Sequence, residues 1–196
     1  MSDAVIATER LVLQPMTVPF LERSLAGDLD GAAELLGATV PADWLAARPF
    51  VELRLRQLRR DPALEPWLLR AIIHRESNAM IGHIGCHDRP GASYLQPYAP
   101  TGIEIGYTIF FAHRRQGYAR EALAALMAWA SRDHGVDAVV LSISPNNEPS
   151  RRIAQHFGFT QKGTVEDEED GPEDVFVLAL GPSTCAEVNG NPISDL

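Results

Sequence analysis

The chain has 196 residues, of which 45% are hydrophobic and 22% charged, and its formal net charge is −9 at pH 7. This size and composition fit one globular domain with its own core, and the acidic balance argues against nonspecific nucleic-acid binding, which needs a broad basic surface. No apolar stretch reaches the roughly 18–20 residues of a membrane span, and the start shows no signal-peptide pattern. The two cysteines, Cys86 and Cys185, are far apart and do not indicate a disulfide framework. We therefore expect a cytoplasmic protein with free thiols.

The first half of the chain carries the patterns of one strand, three helices and a strand pair. Alternating leucines predict a strand at Glu9–Pro15. Capping residues and helically spaced apolar residues predict helices at Phe20–Ala26, Asp28–Gly37 and Phe50–Arg60. Apolar runs on either side of the polar turn Glu76–Asn78 predict two further strands. This part of the chain is therefore expected to combine a sheet with covering helices.

The middle of the chain has the clearest pattern. After a loop rich in proline and glycine at residues 89–102, Ile103–Phe111 alternates between two faces and predicts a strand. A helix that begins at Gly117 follows, with apolar residues at helical spacing. A strand at Ala138–Ser144 and a short helix ended by Gly158 come next. Strands and helices alternate here, which favours a mixed α/β sheet covered by helices.

A turn with two arginines and a glycine joins the strand and the long helix of this middle region. It runs from Arg114 to Ala119. A helix N-terminus offers backbone N–H groups and about half a positive charge from the helix dipole, and Gly117 lets a ligand approach the backbone closely. Arg114, Arg115 and Arg120 add charges suited to phosphate oxygens. The turn therefore predicts a phosphate or pyrophosphate site, and the alternative is a tight turn with solvated arginines.

The run Arg114-Arg115-Gln116-Gly117-Tyr118-Ala119 resembles the (Gln/Arg)-x-x-Gly-x-(Gly/Ala) signature of the GNAT superfamily of acetyl-CoA-dependent N-acetyltransferases. The order of elements around it, the later Asn147-Glu148-Pro149-Ser150 and HFGF, and the opening ERLVLQPMT resemble the ribosomal-protein N-terminal acetyltransferase-like branch. The resemblance covers about residues 8–181. It implies an α/β fold with a mixed, mostly antiparallel sheet of about six to seven strands flanked by helices. Residues 1–181 would form the acetyltransferase domain and residues 182–196 a flexible tail.

The resemblance also implies where acetyl-CoA binds. In the superfamily the pyrophosphate lies on the backbone N–H groups of the signature turn, here Arg115–Arg120. Backbone groups of Phe110, Phe111 and Ser142–Ser144 would hold the pantetheine arm. Asn147 and Ser150 match an N-x-x-S pattern that faces the cofactor. The implied cofactor-binding residues are Phe110, Phe111, Arg114, Arg115, Gln116, Gly117, Tyr118, Ala119, Arg120, Ser142, Asn147 and Ser150.

Direct acetyl transfer needs an amine that has lost its proton, so a general base is expected. The resemblance makes Glu104 the first candidate, because several superfamily members use a glutamate on this strand. The alternative is an ordinary solvent-facing strand glutamate. His87, near the end of the preceding strand, is the second candidate. His83, on the same strand, is expected to be structural.

The group that protonates the departing CoA thiolate is less clearly marked. The resemblance implies Ser150, although its position also suits the first turn of a helix capped by Asn147. Many superfamily members carry a tyrosine four residues further on, where this chain has Ala154. Ser150, a water molecule and unassisted release are therefore the open options.

Two loops are candidates for the acceptor side of the site. Seven acidic residues lie between Glu166 and Asp174. Such a run is either a solvated loop or, as the resemblance implies, a rim near the acceptor entrance that attracts cationic amines. Tyr94 and Tyr98, in the loop before the predicted strand at Ile103, are candidate lining residues.

No metal site is expected, because strand alternation directs Cys86 away from His83 and His87. The implied activity is transfer of an acetyl group from acetyl-CoA to a primary amine, either a protein N-terminus or a small cationic amine, by direct attack in a ternary complex. One alternative is a catalytically weak acyl-CoA-binding regulatory or sensor module. Another is an ATP-binding protein that uses the same glycine turn, disfavoured because GxxxxGK[ST] is absent. The oligomeric state is open, and homodimers are common in the branch.

Overall fold

The computed structural model describes residues 5–167 and 171–181. These residues form two compact units. The described residues up to Cys86, together with Tyr107–Ala125, form the first, termed the N-terminal unit. His87–Gly106, together with the described residues from Leu126 onward, form the second, termed the C-terminal unit. The predicted tail at residues 182–196, with Cys185, lies outside the described residues.

Eight strands are present in the described parts of the chain: β1 Ile6–Ala7, β2 Leu11–Pro15, β3 Arg70–His74, β4 Ala79–Cys86, β5 Ile103–Ile109, β6 Ala138–Ile143, β7 Thr160–Asp167 and β8 Gly171–Ala179. Most pairings are antiparallel, and β5 pairs with β6 in parallel. This confirms the predicted mixed, mostly antiparallel sheet. The count exceeds the predicted six to seven strands because two-residue β1 is too short to show any periodicity.

The helices that the structure describes are α1 Val18–Leu25, α2 Leu29–Leu36, α3 Arg48–Arg60, α4 Glu65–Leu68, α5 Tyr118–His134 and α6 Glu148–His156. Short 3-10 segments lie at Ala42–Ala47, Pro62–Leu64, Ser93–Leu95 and Phe111–His113. In the described ranges no helix is both long enough and apolar enough to cross a membrane.

The N-terminal unit contains the strand order β1-β2-β3-β4 and the helices α1 to α4. The local signals for α2 act as expected: Asp28 Oδ1 accepts a hydrogen bond from the Gly31 N–H at 2.9 Å, and Gly37 ends the helix in a left-handed conformation. Thr17 occupies the N-cap position of α1, but its side chain makes no capping hydrogen bond. Helices α1 and α3 bury their apolar faces in a core that includes Phe20, Trp44 and Leu58.

The predicted strand at Ile103–Phe111 is two residues too long at its C-terminal end. Strand β5 ends at Ile109, and Phe111–His113 forms a 3-10 turn. The Phe110 side chain is buried in the core of the N-terminal unit, whereas Phe111 is 82% exposed. The apolar pattern alone could not distinguish the buried Phe110 from the exposed Phe111, because both residues are phenylalanine and both extend the alternation of the strand.

The C-terminal unit contains the part of β5 up to Gly106, followed in the sheet by β6, β8 and β7, and the short helix α6. The parallel pairing places Glu104 of β5 opposite Val140 of β6. The acidic stretch predicted as a loop instead belongs largely to the β7–β8 hairpin, and residues 168–170 lie outside the described residues. Asp174 of β8 forms an ion pair with Arg151 of α6 and accepts hydrogen bonds from Gln161 and Thr164. At least Asp174 of the acidic stretch therefore links β8 to α6 and β7 through its hydrogen bonds and ion pair.

Candidate functional site

The turn before α5 has a backbone conformation that few residues adopt. Arg115 has φ 60° and Gly117 has φ 81°. Both values lie in the left-handed region, which disfavours side chains other than glycine. A β-carbon at Gly117 would lie 3.4 Å from Arg10 Nη2 and 4.0 Å from Arg120 Nη2. Because Gly117 has no side chain, the backbone at the N-terminus of α5 is not covered by a β-carbon there. The guanidinium groups of Arg10 and Arg120 lie beside this glycine.

Arg10 of the N-terminal unit holds this turn, although no sequence pattern marks it. Its Nη1 donates to the Gln116 carbonyl at 3.0 Å, and its Nε donates to Glu121 Oε2 at 2.7 Å. The guanidinium also lies over the Tyr118 ring, 4.7 Å from the ring centroid. Arg10 and Gln116 are 106 positions apart, and no spacing rule links residues at that separation.

Glu121, in the first turn of α5, is the carboxylate at the centre of this arrangement. It accepts hydrogen bonds from the Thr8 hydroxyl at 2.5 Å and from the Arg10 backbone N–H at 3.0 Å, in addition to the Arg10 side chain. Burial raises the pKa of Glu121, but these hydrogen bonds and the Arg10 charge outweigh that effect and lower it. The start of α5 is thus tied to the chain segment around Thr8 by an ionised carboxylate.

The other predicted residues of the turn differ in their surroundings. Arg114 Nε donates to the Ile109 carbonyl at 2.9 Å, so this arginine supports the backbone at the end of β5. The Tyr118 ring is buried and meets the His74 ring edge-on. Arg115 and Arg120 are exposed and Ala119 is half-buried. Arg114 is exposed as well, so all three predicted cations of the turn lie at the surface, and Arg114 differs in that its Nε is bonded to the Ile109 carbonyl.

A second arrangement, termed the Glu104 cluster, lies in the C-terminal unit and consists of Glu104, His87, Ser142 and Tyr94. The Ser142 hydroxyl donates to Glu104 Oε1 at 2.5 Å, and His87 Nδ1 lies 3.3 Å from Glu104 Oε2. The Tyr94 hydroxyl supplies another hydrogen bond to the carboxylate. Glu104 is only 6% exposed, so the interpretation of it as a solvent-facing strand glutamate is wrong.

Opposing effects set the pKa of the Glu104 carboxyl. Burial raises this pKa, because the ionised form loses water. The hydrogen bonds from His87, Ser142 and Tyr94 and the charge of His87 more than compensate, and the pKa lies below its ordinary value. The buried Glu104 side chain is therefore an anion at neutral pH.

The His87 ring has one nitrogen directed at Glu104 and a side chain that is 43% exposed. The His87 backbone N–H also donates to the Glu104 carbonyl at 2.9 Å, which ties the two residues at the main chain. A β-carbon at Gly106 would lie 2.9 Å from His87 Nε2, closer than real contacts allow. The ring therefore occupies space that exists because residue 106 is glycine.

The remaining sequence candidates have mainly structural surroundings. Asn147 caps α6, since its Oδ1 accepts from the Ser150 N–H at 3.2 Å. Ser150 lies in the first turn of this helix and is half-buried, and Ala154 is fully buried. The Ser142 hydroxyl donates its hydrogen bond to the Glu104 carboxylate. The predicted contact of Ser142 with pantetheine involves its backbone and is therefore a separate interaction.

His83 and Cys86 are buried in the N-terminal unit. His83 lies between the rings of Phe50 and Trp44, and burial lowers its pKa to about 4. Burial also raises the pKa of the Cys86 thiol to about 12, so it is not an activated nucleophile. Within the part of the chain that the structure describes, no group of three or more His, Cys, Asp or Glu side chains is placed to hold a metal ion.

The family model of the acetyltransferase (GNAT) domain matches residues 10–160 of this chain. That range includes the turn at Gly117, the Glu104 cluster and the helix capped by Asn147. The chain belongs to the GNAT acetyltransferase family.

Proteins similar to this GNAT acetyltransferase include an uncharacterized relative and two solved acetyltransferases. The uncharacterized N-acetyltransferase YjdG of Bacillus subtilis (strain 168) is 24% identical over 159 residues, which are 79% of this chain and 89% of YjdG. The structure of Mycobacterium smegmatis RimJ in complex with CoA-disulfide has a TM-score of 0.61 at 16% identity, covering 91% of this chain and 87% of RimJ. RimL, a ribosomal L7/L12 alpha-N-protein acetyltransferase in complex with coenzyme A, has a TM-score of 0.61 at 18% identity, covering 90% and 98% of the two chains. These likenesses show the shared fold.

The sequence of this GNAT acetyltransferase marked the turn and Glu104 but not their supports. Arg10, Glu121 and Gly106 were not identified as parts of a site, and Tyr94 was considered only as a pocket residue. The one available signal was the glycine at position 106 in an otherwise β-prone strand, since such a glycine often marks a close approach of another group.

Proposed function

We propose that this chain transfers an acetyl group from acetyl-CoA to a primary amine, and that the diphosphate of acetyl-CoA binds at the turn Arg115–Arg120. The observation that carries the proposal is the turn itself, where two left-handed residues precede α5 and exposed Arg115 and Arg120 flank Gly117. Backbone N–H groups at a helix N-terminus and nearby guanidinium groups suit phosphate oxygens. RimJ and RimL were solved with coenzyme A species bound, which supports the same donor here.

The residues of the turn and of the segment before it would contribute to acetyl-CoA binding in three ways under this proposal. Arg115, Gln116, Gly117, Tyr118, Ala119 and Arg120 supply the turn, and their contribution is mainly backbone N–H groups and two exposed cations. Because the Phe110 side chain is buried, Phe110 would act through its backbone, and Phe111 would add an exposed ring. Arg114 would act by supporting the end of β5, since its Nε is committed to the Ile109 carbonyl.

The proposed reaction is a direct attack in a ternary complex. The ammonium form of the amine gives up one proton to the Glu104–His87 pair, its nitrogen forms a C–N bond with the acetyl carbonyl carbon, and the C–S bond breaks. The excess proton that remains on the nitrogen then passes through Ser150 or water to the thiolate of CoA, so that Ser150 ends protonated. Thiols have pKa values of about 8.5, so a thiolate is a fair leaving group even without a dedicated acid.

The proposed acceptor is a protein N-terminus or a small cationic amine. The net charge of −9 favours cationic partners by electrostatic steering. RimL is an alpha-N-protein acetyltransferase, which supports a protein N-terminus as the first acceptor to test. We propose residues 1–181 as the acetyltransferase domain.

The test is a calorimetric titration of acetyl-CoA into the wild type and Gly117→Asp. The expected result is micromolar binding by the wild type and at least about 100-fold weaker binding by the variant, because an aspartate strains the backbone and repels the diphosphate. The matched control is Gly37→Asp, which puts the same residue at φ 71° with nothing within 4 Å. Equal loss in both variants would show a folding defect and would not support the site.

Acetyl transfer is then measured as thiol release with an amine panel that includes a basic peptide with a free α-amine and spermidine. Thiol release that depends on the amine and yields the acetylated product supports the proposal. Binding of acetyl-CoA without transfer to any amine would favour the alternative, a regulatory or sensor module. Absence of acetyl-CoA binding by the wild type would leave only the fold in common with the family.

A further inference from the structure

We propose that Arg10 is a positioning residue for acetyl-CoA, which prepares the turn before α5 to receive the diphosphate in two ways. It orients the peptide bond between Gln116 and Gly117, and it neutralises the carboxylate of Glu121. This inference rests on the proposed function and deepens it, because it concerns the same donor site. All the residues that carry it belong to the N-terminal unit.

The guanidinium of Arg10 forms hydrogen bonds in two directions. Its Nη1 donates to the Gln116 carbonyl at 3.0 Å, while its Nε and Nη2 lie 2.7 Å and 2.6 Å from Glu121 Oε2. The guanidinium also rests over the Tyr118 ring. Because the group is planar and its donors form a rigid fork, the bonds to Glu121 also fix the position of Nη1. Arg10 thus holds a donor at a fixed place beside the Gln116 carbonyl.

The hydrogen bond to Gln116 determines where the N–H of Gly117 points. The peptide unit between them is planar and trans, so its carbonyl and its N–H point in opposite directions. With the Gln116 carbonyl held toward Arg10, the Gly117 N–H is directed away from Arg10. A glycine restricts the rotation of an adjoining peptide unit only weakly, so without Arg10 this direction would not be fixed.

The N–H of Gly117 is one of the donors that α5 leaves open at its start. The first backbone hydrogen bond of this region runs from the Glu121 N–H to the Gly117 carbonyl at 3.0 Å. The N–H groups of the residues before Glu121 therefore have no carbonyl partner inside the helix. Gly117 precedes the helix and has no side chain that could cap them. A diphosphate accepts hydrogen bonds from several such groups when they converge, so a fixed direction of the Gly117 N–H favours its binding.

Glu121 is the acidic residue in the first turn of α5, and an unpaired carboxylate there would repel a diphosphate. Its charge is instead engaged by Arg10 and Thr8. Oε2 faces the Arg10 guanidinium, and Oε1 accepts hydrogen bonds from the Thr8 hydroxyl and from the Arg10 backbone N–H. The Arg10–Glu121 pair as a whole therefore adds no net negative charge to the turn.

This ion pair lies beside the open backbone of the turn. A β-carbon at Gly117 would be 3.4 Å from Arg10 Nη2. If Glu121 lost its partner at this short distance, its charge would offset one of the exposed cations, Arg115 and Arg120, that are assigned to the diphosphate. Arg10 thus preserves the positive charge of the turn without itself being one of its free cations.

The test measures acetyl-CoA binding by calorimetry in the full chain and in three variants. Arg10→Gln removes both effects and should weaken binding about 10-fold, since an uncompensated carboxylate then lies beside the diphosphate. Arg10→Gln/Glu121→Gln leaves no unpaired charge and should recover binding to about 3-fold weaker than the wild type. Arg10→Lys keeps the charge but lacks the fork, and it should also bind about 3-fold more weakly, because the Gln116 carbonyl is released.

These variants separate the two effects. If the double variant binds acetyl-CoA as weakly as Arg10→Gln, the neutralisation of Glu121 is overturned. If Arg10→Lys binds as tightly as the wild type, the orientation of the Gly117 N–H by Arg10 is overturned. Urea unfolding shows which variants are folded, and the double variant and Arg10→Lys decide the question if Arg10→Gln is not.

Arg75→Gln is the matched control. The Arg75 Nη1 donates to the carbonyls of Thr8 at 2.8 Å and Glu9 at 3.2 Å, so this variant removes a charge and a support from the same segment of the chain. Its affinity for acetyl-CoA should stay within about 2-fold of the wild type, as for other exposed charges. A loss equal to that of Arg10→Gln would mean that any loosening of this segment weakens binding, and would overturn the role of Arg10.

A second measurement compares two acetyl donors in transfer to a basic peptide with a free α-amine. S-acetylpantetheine carries the same thioester without the diphosphate. In Arg10→Gln its kcat/KM should be unchanged, whereas kcat/KM for acetyl-CoA should fall about 10-fold through a higher KM. Equal losses with both donors would show a general defect and would overturn a role that acts through the diphosphate.

The outcomes also separate this inference from the proposed function. If the wild type binds acetyl-CoA but acetylates no amine, acetyl transfer fails, while the binding measurements on the Arg10 variants still decide the role of Arg10. If Gly117→Asp binds acetyl-CoA as tightly as the wild type, the diphosphate does not lie at the turn, and the role of Arg10 fails with that site.

Discussion

The turn before α5 and the Glu104 cluster hold charge in different ways. At the turn, backbone conformation is the main feature, and the cations Arg115 and Arg120 stand exposed beside Gly117. In the cluster, the charge is a buried carboxylate, and side chains from separate parts of the chain surround it. Exposed cations are screened by salt and cost little to maintain, whereas a buried anion must be compensated by hydrogen bonds.

This difference indicates a division of labour. A surface of backbone N–H groups and exposed cations suits an anionic group that binds and leaves. A buried, hydrogen-bonded carboxylate keeps one ionisation state and can orient a neighbouring ring, as Glu104 does with His87. We therefore expect variants at the turn to change affinity and its salt dependence, and variants in the cluster to change pH dependence and stability.

After Gly117→Asp, the largest effect is expected for the double variant Arg115→Ala/Arg120→Ala. Acetyl-CoA should bind about 30-fold more weakly at low salt, because two exposed charge-assisted contacts of on the order of 1 kcal/mol each are lost. The difference in acetyl-CoA affinity between the wild type and the variant should decrease as the salt concentration rises. Calorimetric titrations of both proteins at two salt concentrations measure the loss of affinity and its salt dependence. The control is Arg56→Ala/Arg60→Ala, two exposed arginines of α3; a similar loss there would mean that only overall charge matters.

Glu121→Gln tests whether the negative charge of Glu121 stabilises the start of α5 through its contacts with Arg10 and Thr8. The variant removes the charge that Arg10 and Thr8 bind, and the free energy of unfolding in urea should fall by roughly 1.5 kcal/mol. The matched control is Glu22→Gln, whose pair with Arg59 at 2.7 Å is more exposed and should contribute below about 1 kcal/mol. Equal effects in the two variants would show that the Arg10–Glu121 pair is an ordinary surface pair.

Glu104→Gln tests the buried anion through pH. Because folding lowers the pKa of Glu104 below its ordinary value of 4.5, its ionisation stabilises the folded state above that pH, and this contribution is lost as the pH falls through the folded-state pKa. At pH 7 the free energy of unfolding of the wild type should exceed that of the variant by about 1 kcal/mol. Urea unfolding between pH 7 and pH 3 should show that this difference in the free energy of unfolding decreases below about pH 4.5. A gap that stays constant would contradict an ionised Glu104 as its source.

The smallest effect is expected for Tyr94→Phe, which removes one hydrogen bond to Glu104 from a partly exposed residue. Stability at pH 7 should fall by about 0.5 kcal/mol, and acid unfolding should begin at a higher pH, since the anion has lost a donor. Tyr98→Phe in the same loop is the comparison, because its ring packs beside Gly163 and is not part of the cluster. An identical change in both variants would indicate a general loop effect.

Much of the fold followed from local patterns. Asp28 and Gly37 predicted the ends of α2 because capping is a contact between near neighbours in the chain. The alternation from Ile103 predicted β5, and the helical spacing after Gly117 predicted α5. The errors fell where local signals are weak: two-residue β1 has no period, and Phe110 and Phe111 could not be placed beyond the end of β5 from apolarity alone.

The sequence by itself determined the family signature at Arg114–Ala119, because a left-handed glycine at a helix N-terminus is a local conformational requirement. Only the tertiary structure decided that Arg10 holds this turn and that Ser142, Tyr94 and His87 surround Glu104. Arg10 lies 106 positions from Gln116 and 111 from Glu121, and Ser142 lies 38 positions from Glu104. Hydrogen bonds over such separations depend on strand pairing and loop placement, which no residue pattern near Gly117 or Glu104 records.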